Sequence, residues 1–142
     1  MKSLNPILLL LIFSVLACLH FSWALGSNWG FAAALPTTAE GEFLLQPTPI
    51  DSAIVGFGLL AFAIYYLLQT QWINKPLPNK INRIIGWIIP GIFLLRAVGD
   101  FQYVGIFKPP METVFAQADF FFYSPLCLLI ALLGFLVVKP ND

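Results

Sequence analysis

The chain has 142 residues, of which 59% are hydrophobic and 10% are charged, and its mean hydropathy is +0.86. So much apolar surface exceeds what a core of this size can bury, which excludes an ordinary water-soluble domain and indicates an integral membrane protein. Seven basic and seven acidic residues balance one another, so the charge gives no indication of a nucleic-acid partner.

Four apolar stretches are long enough to cross the roughly 30 Å hydrocarbon layer of a bilayer as helices. They are residues 6–25, 52–70, 81–98 and 119–138. The chain between them is too short to hold a further domain. Residues 1–142 are therefore predicted to form a single all-α membrane domain with four transmembrane helices.

The first helix has one alternative interpretation, a signal peptide, since VLAC at residues 15–18 weakly resembles a lipoprotein cleavage site. The apolar run continues through Leu25, which is long enough for a transmembrane span and too long for a typical signal core. We therefore expect this segment to be a retained helix.

A long loop, residues 26–50, follows the first helix and contains no Lys or Arg. Its apolar side chains predict a lid on the membrane surface and include Trp29, Phe31, Phe43 and Leu44. Thr48, Pro49 and Asp51 have the order of a capped helix start, and Ser52 with Gly56 would let a neighbouring helix approach closely.

The basic residues near the helix ends predict the orientation of the bundle. Both termini and the loop between the second and third helices carry them, at Lys2, Lys75, Lys80, Arg83 and Lys139. By the positive-inside rule these segments face the cytoplasm, so the topology is N-in and C-in, and the first loop and residues 99–118 face outward. We expect a multi-pass protein of the bacterial inner membrane.

Titratable residues gather in the outer layer of the predicted bundle. His20, Arg96, Asp100 and Asp119 share this layer when each helix rises 1.5 Å per residue. Arg96 and Asp100 are four residues apart, the spacing of an intrahelical ion pair. Trp23 shares a helix face with His20, and Tyr123 shares one with Asp119. The ligand-binding candidates are therefore Arg96, Asp100, His20, Trp23, Asp119 and Tyr123.

Two functions fit this layer. In the first, a pocket in the outer leaflet binds a lipid-like or small polar ligand, with Arg96 on its headgroup and with His20 and Asp119 as catalytic candidates for proton exchange. In the alternative, the polar residues only fix helix ends in a structural or interaction subunit of a larger membrane complex. A transporter ranks lowest, because no titratable group lies in the inner half of the spans.

Other classes of site receive no support. Cys18 and Cys127 are predicted to face different sides, so a redox pair is not expected, and no cofactor or metal site is predicted. Membrane lipids are the expected partners. Oligomeric state, and whether the protein is an enzyme, remain open.

Several motifs resemble a known family. They are HFSWALG (20–26), RAVGDFQYVGIFK (96–108), Thr113 with FAQAD (115–119), and YSPLCL (123–128). Together they are similar to the bacterial domain-of-unknown-function 3995 family of small integral membrane proteins. The resemblance marks His20, Trp23, Arg96, Gly99, Asp100, Asp119, Tyr123 and Pro125. The resemblance implies no activity, because the family has none assigned. The sequence departs from the family pattern at Ser27, where the pattern often has a second glycine.

Overall fold

The computed structural model describes residues 4–73, 77–110 and 112–138. In these residues the regular structure is helical apart from one isolated bridge between Thr37 and Phe43. In chain order the helices are α1 (Leu4–Ala24), α2 (Phe31–Ala34), α3 (Pro49–Leu68), α4 (Asn79–Val98), α5 (Val114–Ala118), a π-helical turn (Asp119–Tyr123) and α6 (Ser124–Val137).

Four helices of the described chain are long and apolar enough to cross a membrane. They are α1, α3, α4 and the continuous run Val114–Val137 formed by α5, the π turn and α6. The prediction of an all-α protein with four such helices is confirmed. The N-in and C-in orientation stays a prediction, and three of its basic residues, Lys2, Lys75 and Lys139, lie outside the described residues.

Threonines cap two of the spanning helices, and both helices begin before the apolar stretches that identified them. Thr48 accepts from the amide of Asp51, while Asp51 accepts from the amide of Thr48, which is the predicted capping box with Pro49 at the first helical position. Thr113 accepts in the same way from the amide of Ala116. The fourth span therefore starts at Val114, and Asp119 lies inside it rather than at its end.

The bundle is built from two helix pairs. α1 packs along α3, α4 packs along α6, and contacts between α1 and α6 join the pairs. Phe13 of α1 lies at the centre, stacked on Tyr66 and edge-on to Phe62 and Phe93, and is completely buried. Since lipid is as apolar as these side chains, close packing rather than exclusion of water holds such a bundle together in a bilayer.

Glycines allow the closest helix approaches. A methyl group at Gly56 would lie 2.9 Å from the ring of Phe21 in α1, which explains why α1 and α3 meet at the predicted pair of small residues. A methyl group at Gly134 would lie 2.8 Å from Pro90, so α4 and α6 also approach closely.

Candidate functional site

The chain folds back sharply where α4 ends. Gly99 has φ of 82° and Gly105 has φ of 98°, values that L side chains rarely adopt. A methyl group at Gly99 would lie 1.8 Å from the carbonyl oxygen of Val104. The amide of Ile106 returns to the carbonyl of Ala97 at 2.9 Å, so residues 99–105 form a closed loop on the end of α4.

Asp100 holds this loop together and does not pair with Arg96. Its Oδ1 accepts hydrogen bonds from the amides of Gln102, Tyr103 and Val104, at 2.9, 2.7 and 2.9 Å. Partial desolvation would raise the pKa of Asp100, but the three amide donors outweigh it and lower that pKa below its usual range. The spacing of Arg96 and Asp100 allowed an intrahelical ion pair, but this pair does not form, because Gly99 ends the helix between them.

Asp119 is the centre of the polar cluster. Its side chain is 0% exposed, and Arg96 Nη2 donates to its Oδ1 at 2.7 Å. Lys108 Nζ donates to Oδ2, as does the amide of Gly105 at 2.8 Å, and the hydroxyl of Ser124 donates to Oδ1 at 3.2 Å. A buried carboxylate is stable only with such partners, and here two cations and two neutral donors surround it.

A π turn carries Asp119. At the end of this turn the amide of Ser124 bonds to the carbonyl of Asp119, five residues earlier. Pro125 follows directly, and in a regular α-helix its ring would collide with the carbonyl of the residue four positions before it. The wider turn relieves that collision. Such turns are frequent at functional sites, and this one lies at the buried ion cluster.

Three members of the cluster were missed from the sequence: Gly105, Lys108 and Ser124. The sequence indicates only that Lys108 belongs to the outward-facing segment 99–118, yet its side chain is 4% exposed, and its Nζ lies 5.7 Å from the ring centre of Phe115. The available signal was its position at the end of the RAVGDFQYVGIFK motif, shortly before Asp119.

Arg96 has bonding capacity left. One guanidinium nitrogen, Nη2, is bound to Asp119, whereas Nη1 is buried and has no hydrogen-bond partner among the residues that the structure describes. The side chain is 32% exposed and lies in the wall of a large groove. The cluster of Arg96, Lys108 and Asp119 carries one positive charge in excess.

His20 lies in the same groove but is not bonded to the ion cluster. Its Nδ1 lies 2.9 Å from the carbonyl oxygen of Leu16. Because a carbonyl oxygen only accepts, Nδ1 carries the proton in this contact. In the neutral imidazole the lone pair is then on Nε2. The ring also packs edge-on against Trp23, with 4.8 Å between the ring centres.

Trp23 holds the first loop over the bundle. Its Nε1 donates to the carbonyl of Trp29 at 2.8 Å, and its ring packs edge-on against Phe31 of α2. Trp29 and Phe31 both lie in the groove wall, together with Ala34 and Leu35. The loop therefore forms part of the groove wall beside Trp23, and its role as a lid on the membrane surface stays a prediction.

The groove, called the lateral groove below, has a volume of about 820 Å³, within the range of small-molecule sites. Its walls are mainly apolar and come from α1, α2, α3, α4, the π turn and α6, and from the first loop. The side chains on its rim are exposed: Leu11 by 57%, Val15 by 67% and Phe122 by 60%. The polar or titratable side chains in its wall include Arg96, His20, Asp51 and Tyr123. In the described residues no group of three or more His, Cys, Asp or Glu could hold a metal ion.

A polytopic helical membrane protein with a buried ion cluster beside a lateral groove is the class that this fold and site define. The chain belongs to the family described as "Protein of unknown function (DUF3995)", whose model matches residues 13–134. The resemblance drawn from the motifs is thus confirmed. No curated protein and no solved structure matches the chain.

Proposed function

We propose that this protein binds a lipid-like amphiphile in the lateral groove, with the polar end of the ligand at Arg96 and its apolar part between α1 and α6. One observation carries the proposal: the apolar groove ends at a guanidinium group that has a nitrogen without a hydrogen-bond partner among the described residues. An amphiphile matches both features at once.

The exposed rim supports entry from the bilayer. Leu11 and Val15 of α1 and Phe122 of the π turn line the groove, and all three are more than half exposed. In a membrane these side chains would contact lipid tails, so a ligand could enter sideways without crossing water. With the predicted orientation, the site would open to the outer leaflet of a bacterial inner membrane.

We assign different roles to the two catalytic candidates. The carboxylate of Asp119 is occupied by four donors, which suits a positioning role that fixes Arg96 in the groove wall. The Nε2 lone pair of His20 suits a base toward a hydroxyl group of the ligand. Binding is therefore the function that we propose, and proton transfer by His20 would be an addition to it.

The lateral groove can be blocked with a matched control. Val55 and Ile54 are adjacent in α3 and both exposed, but only Val55 is among the residues of the groove wall. Val55→Trp should fill the groove, whereas Ile54→Trp should add the same bulk on the lipid-facing side. Each variant is purified in mild detergent, and its retained lipids are counted by native mass spectrometry.

We expect the parent and Ile54→Trp to retain one tightly held amphiphile and Val55→Trp to lose it. Equal retention by Val55→Trp would contradict the proposal, as would a parent protein without any retained amphiphile. The alternative, a structural subunit of a larger membrane complex, predicts a co-purifying protein chain and no specific lipid in the same spectra.

A further inference from the structure

The charge of the ion cluster restricts which amphiphile the groove can take. Arg96 and Lys108 carry two positive charges against the single negative charge of Asp119. Lys108 is 4% exposed and covered by Phe115, so it presents none of this excess to the groove. Arg96 is the member of the cluster that lies in the groove wall. The excess positive charge of the cluster therefore reaches a ligand in the groove through Arg96.

The unpartnered Nη1 of Arg96 specifies the same chemistry. A buried N–H group without an acceptor is unfavourable, and for a charged group the penalty is larger. A guanidinium group presents parallel donors that match the oxygens of phosphate or carboxylate. With Nη2 held on Asp119 and Nη1 unpartnered, the guanidinium group keeps donor capacity for one such oxygen.

Asp51, the carboxylate in the groove wall, is already engaged. Its Oδ2 accepts from the amide and the hydroxyl of Thr48, at 2.7 and 2.8 Å, as the cap of α3 requires. These bonds hold the Asp51 carboxylate at the start of α3 and not on Arg96, whose ion-pair partner is Asp119. A headgroup that carries only negative charge gains the full attraction of the ion cluster, whereas the positive group of a zwitterion offsets part of that attraction.

The depth of the groove sets the length of the tail. Its wall along α1 runs from Trp23 down to Leu11, and the part from His20 to Leu11 corresponds to about 13 Å at 1.5 Å per residue. An extended alkyl chain advances about 1.3 Å per carbon, given C–C bonds of about 1.5 Å. The apolar part of the groove therefore matches a chain of about ten carbons.

We infer that the ligand is a single-chain anionic amphiphile, a long-chain phosphate or carboxylate, whose headgroup oxygen accepts from the guanidinium group of Arg96. This inference rests on the proposed function and names its ligand class. The shared chemistry is an oxyanion on an alkyl chain. Free phosphate has the oxyanion without the chain, and therefore serves as a separate arm of the test.

The test measures binding by native mass spectrometry to the full chain held in a bulky sterol-based non-ionic detergent. Three probes are titrated: dodecyl phosphate, dodecylphosphocholine and inorganic phosphate. Arg96→Gln is the informative variant, because it leaves Lys108 and Asp119 as a neutral pair and strands no buried charge. Lys80→Gln removes a positive charge from the exposed start of α4 and is the control.

We expect dodecyl phosphate to bind the parent and Lys80→Gln at least about tenfold more tightly than Arg96→Gln, the value of one hydrogen bond to a charged group. Dodecylphosphocholine should bind the parent more weakly than dodecyl phosphate, and inorganic phosphate should not compete. If Arg96→Gln fails to fold, the parent alone still decides, since dodecyl phosphate should raise its thermal midpoint more than dodecylphosphocholine does at the same concentration.

The outcomes separate this inference from the proposed function. Equal binding of both dodecyl probes to the parent and to Arg96→Gln would overturn the inference that the headgroup is anionic. The proposed binding in the lateral groove would still stand if Val55→Trp abolishes binding of the same probes. Inorganic phosphate binding as tightly as dodecyl phosphate would overturn the role of the tail. Unchanged binding of both dodecyl probes to Val55→Trp would overturn the proposed function itself.

Discussion

Replacing Asp119 with asparagine should be among the most destabilising single changes in this protein. The carboxylate is completely buried and accepts from Arg96, Lys108, the amide of Gly105 and the hydroxyl of Ser124. An asparagine keeps the shape but leaves both cations without a counter-charge. Stranding a buried charge typically costs about 3–5 kcal/mol. We expect the free energy of unfolding to fall by that amount.

Lys108→Met should cost less, although it also removes a buried partner. Asp119 then keeps Arg96 as its counter-ion, so the loss is that of one hydrogen bond to a charged group, about 1.5–3 kcal/mol. The double variant Asp119→Asn with Lys108→Met should be more stable than Asp119→Asn alone, because Arg96 is 32% exposed and can turn toward the groove.

Unfolding by titration with SDS in bicelles, followed by tryptophan fluorescence, measures these differences. Gln117→Ala changes an exposed side chain on the same span and should alter the free energy of unfolding by less than about 0.5 kcal/mol. The reasoning would be refuted if Asp119→Asn cost less than about 1 kcal/mol, or if Lys108→Met cost as much as Asp119→Asn.

Three further predictions concern the loop after α4 and its glycines. Gly105→Ala should lower the free energy of unfolding by more than about 1 kcal/mol, because φ at this position is 98° and the new methyl group would lie 2.4 Å from a backbone oxygen. The control Gly58→Ala places its methyl group in open space within α3 and should be neutral or stabilising in the same titration. The pKa of Asp100 is lowered in the folded state, so the carboxylate contributes its full share to the free energy of unfolding above its ordinary pKa of 3.8, and this share is lost as the pH falls through the lower folded value. The difference in stability between the parent and Asp100→Asn should therefore be constant from neutral pH down to about pH 5 and should shrink under more acidic conditions. Arg96→Leu should not be rescued by Asp100→Leu, since the partner of Arg96 is elsewhere, and recovery of folded yield in that double variant would contradict the site geometry.

The helices were predictable because their signals are local. Apolar runs of sufficient length identify spans, and Thr48, Pro49 and Asp51 identify a helix start with the same residues that form it. The layer shared by Arg96 and Asp119 followed from the helical rise alone, and the structure places these two side chains in contact. Such features depend on neighbours in the sequence and on bilayer thickness.

The partners within the site were not predictable in the same way. The spacing of Arg96 and Asp100 indicates an ion pair only if the helix continues past Val98, and Gly99 ends it there. The orientation of the Asp100 and Lys108 side chains then depends on the conformation of the loop that follows α4. Spacing rules for helices do not describe such a loop, and the π turn at Asp119 also lies outside them, although Pro125 marks its place.

A high-resolution structure of the protein extracted directly into lipid nanodiscs would test the central claim most directly. The account predicts density for an amphiphile in the lateral groove, with a headgroup oxygen within hydrogen-bonding distance of the Arg96 guanidinium group and a tail along α1 toward Leu11. A groove closed by the protein's own side chains, or Nη1 bonded to a protein group with no ligand present, would contradict it.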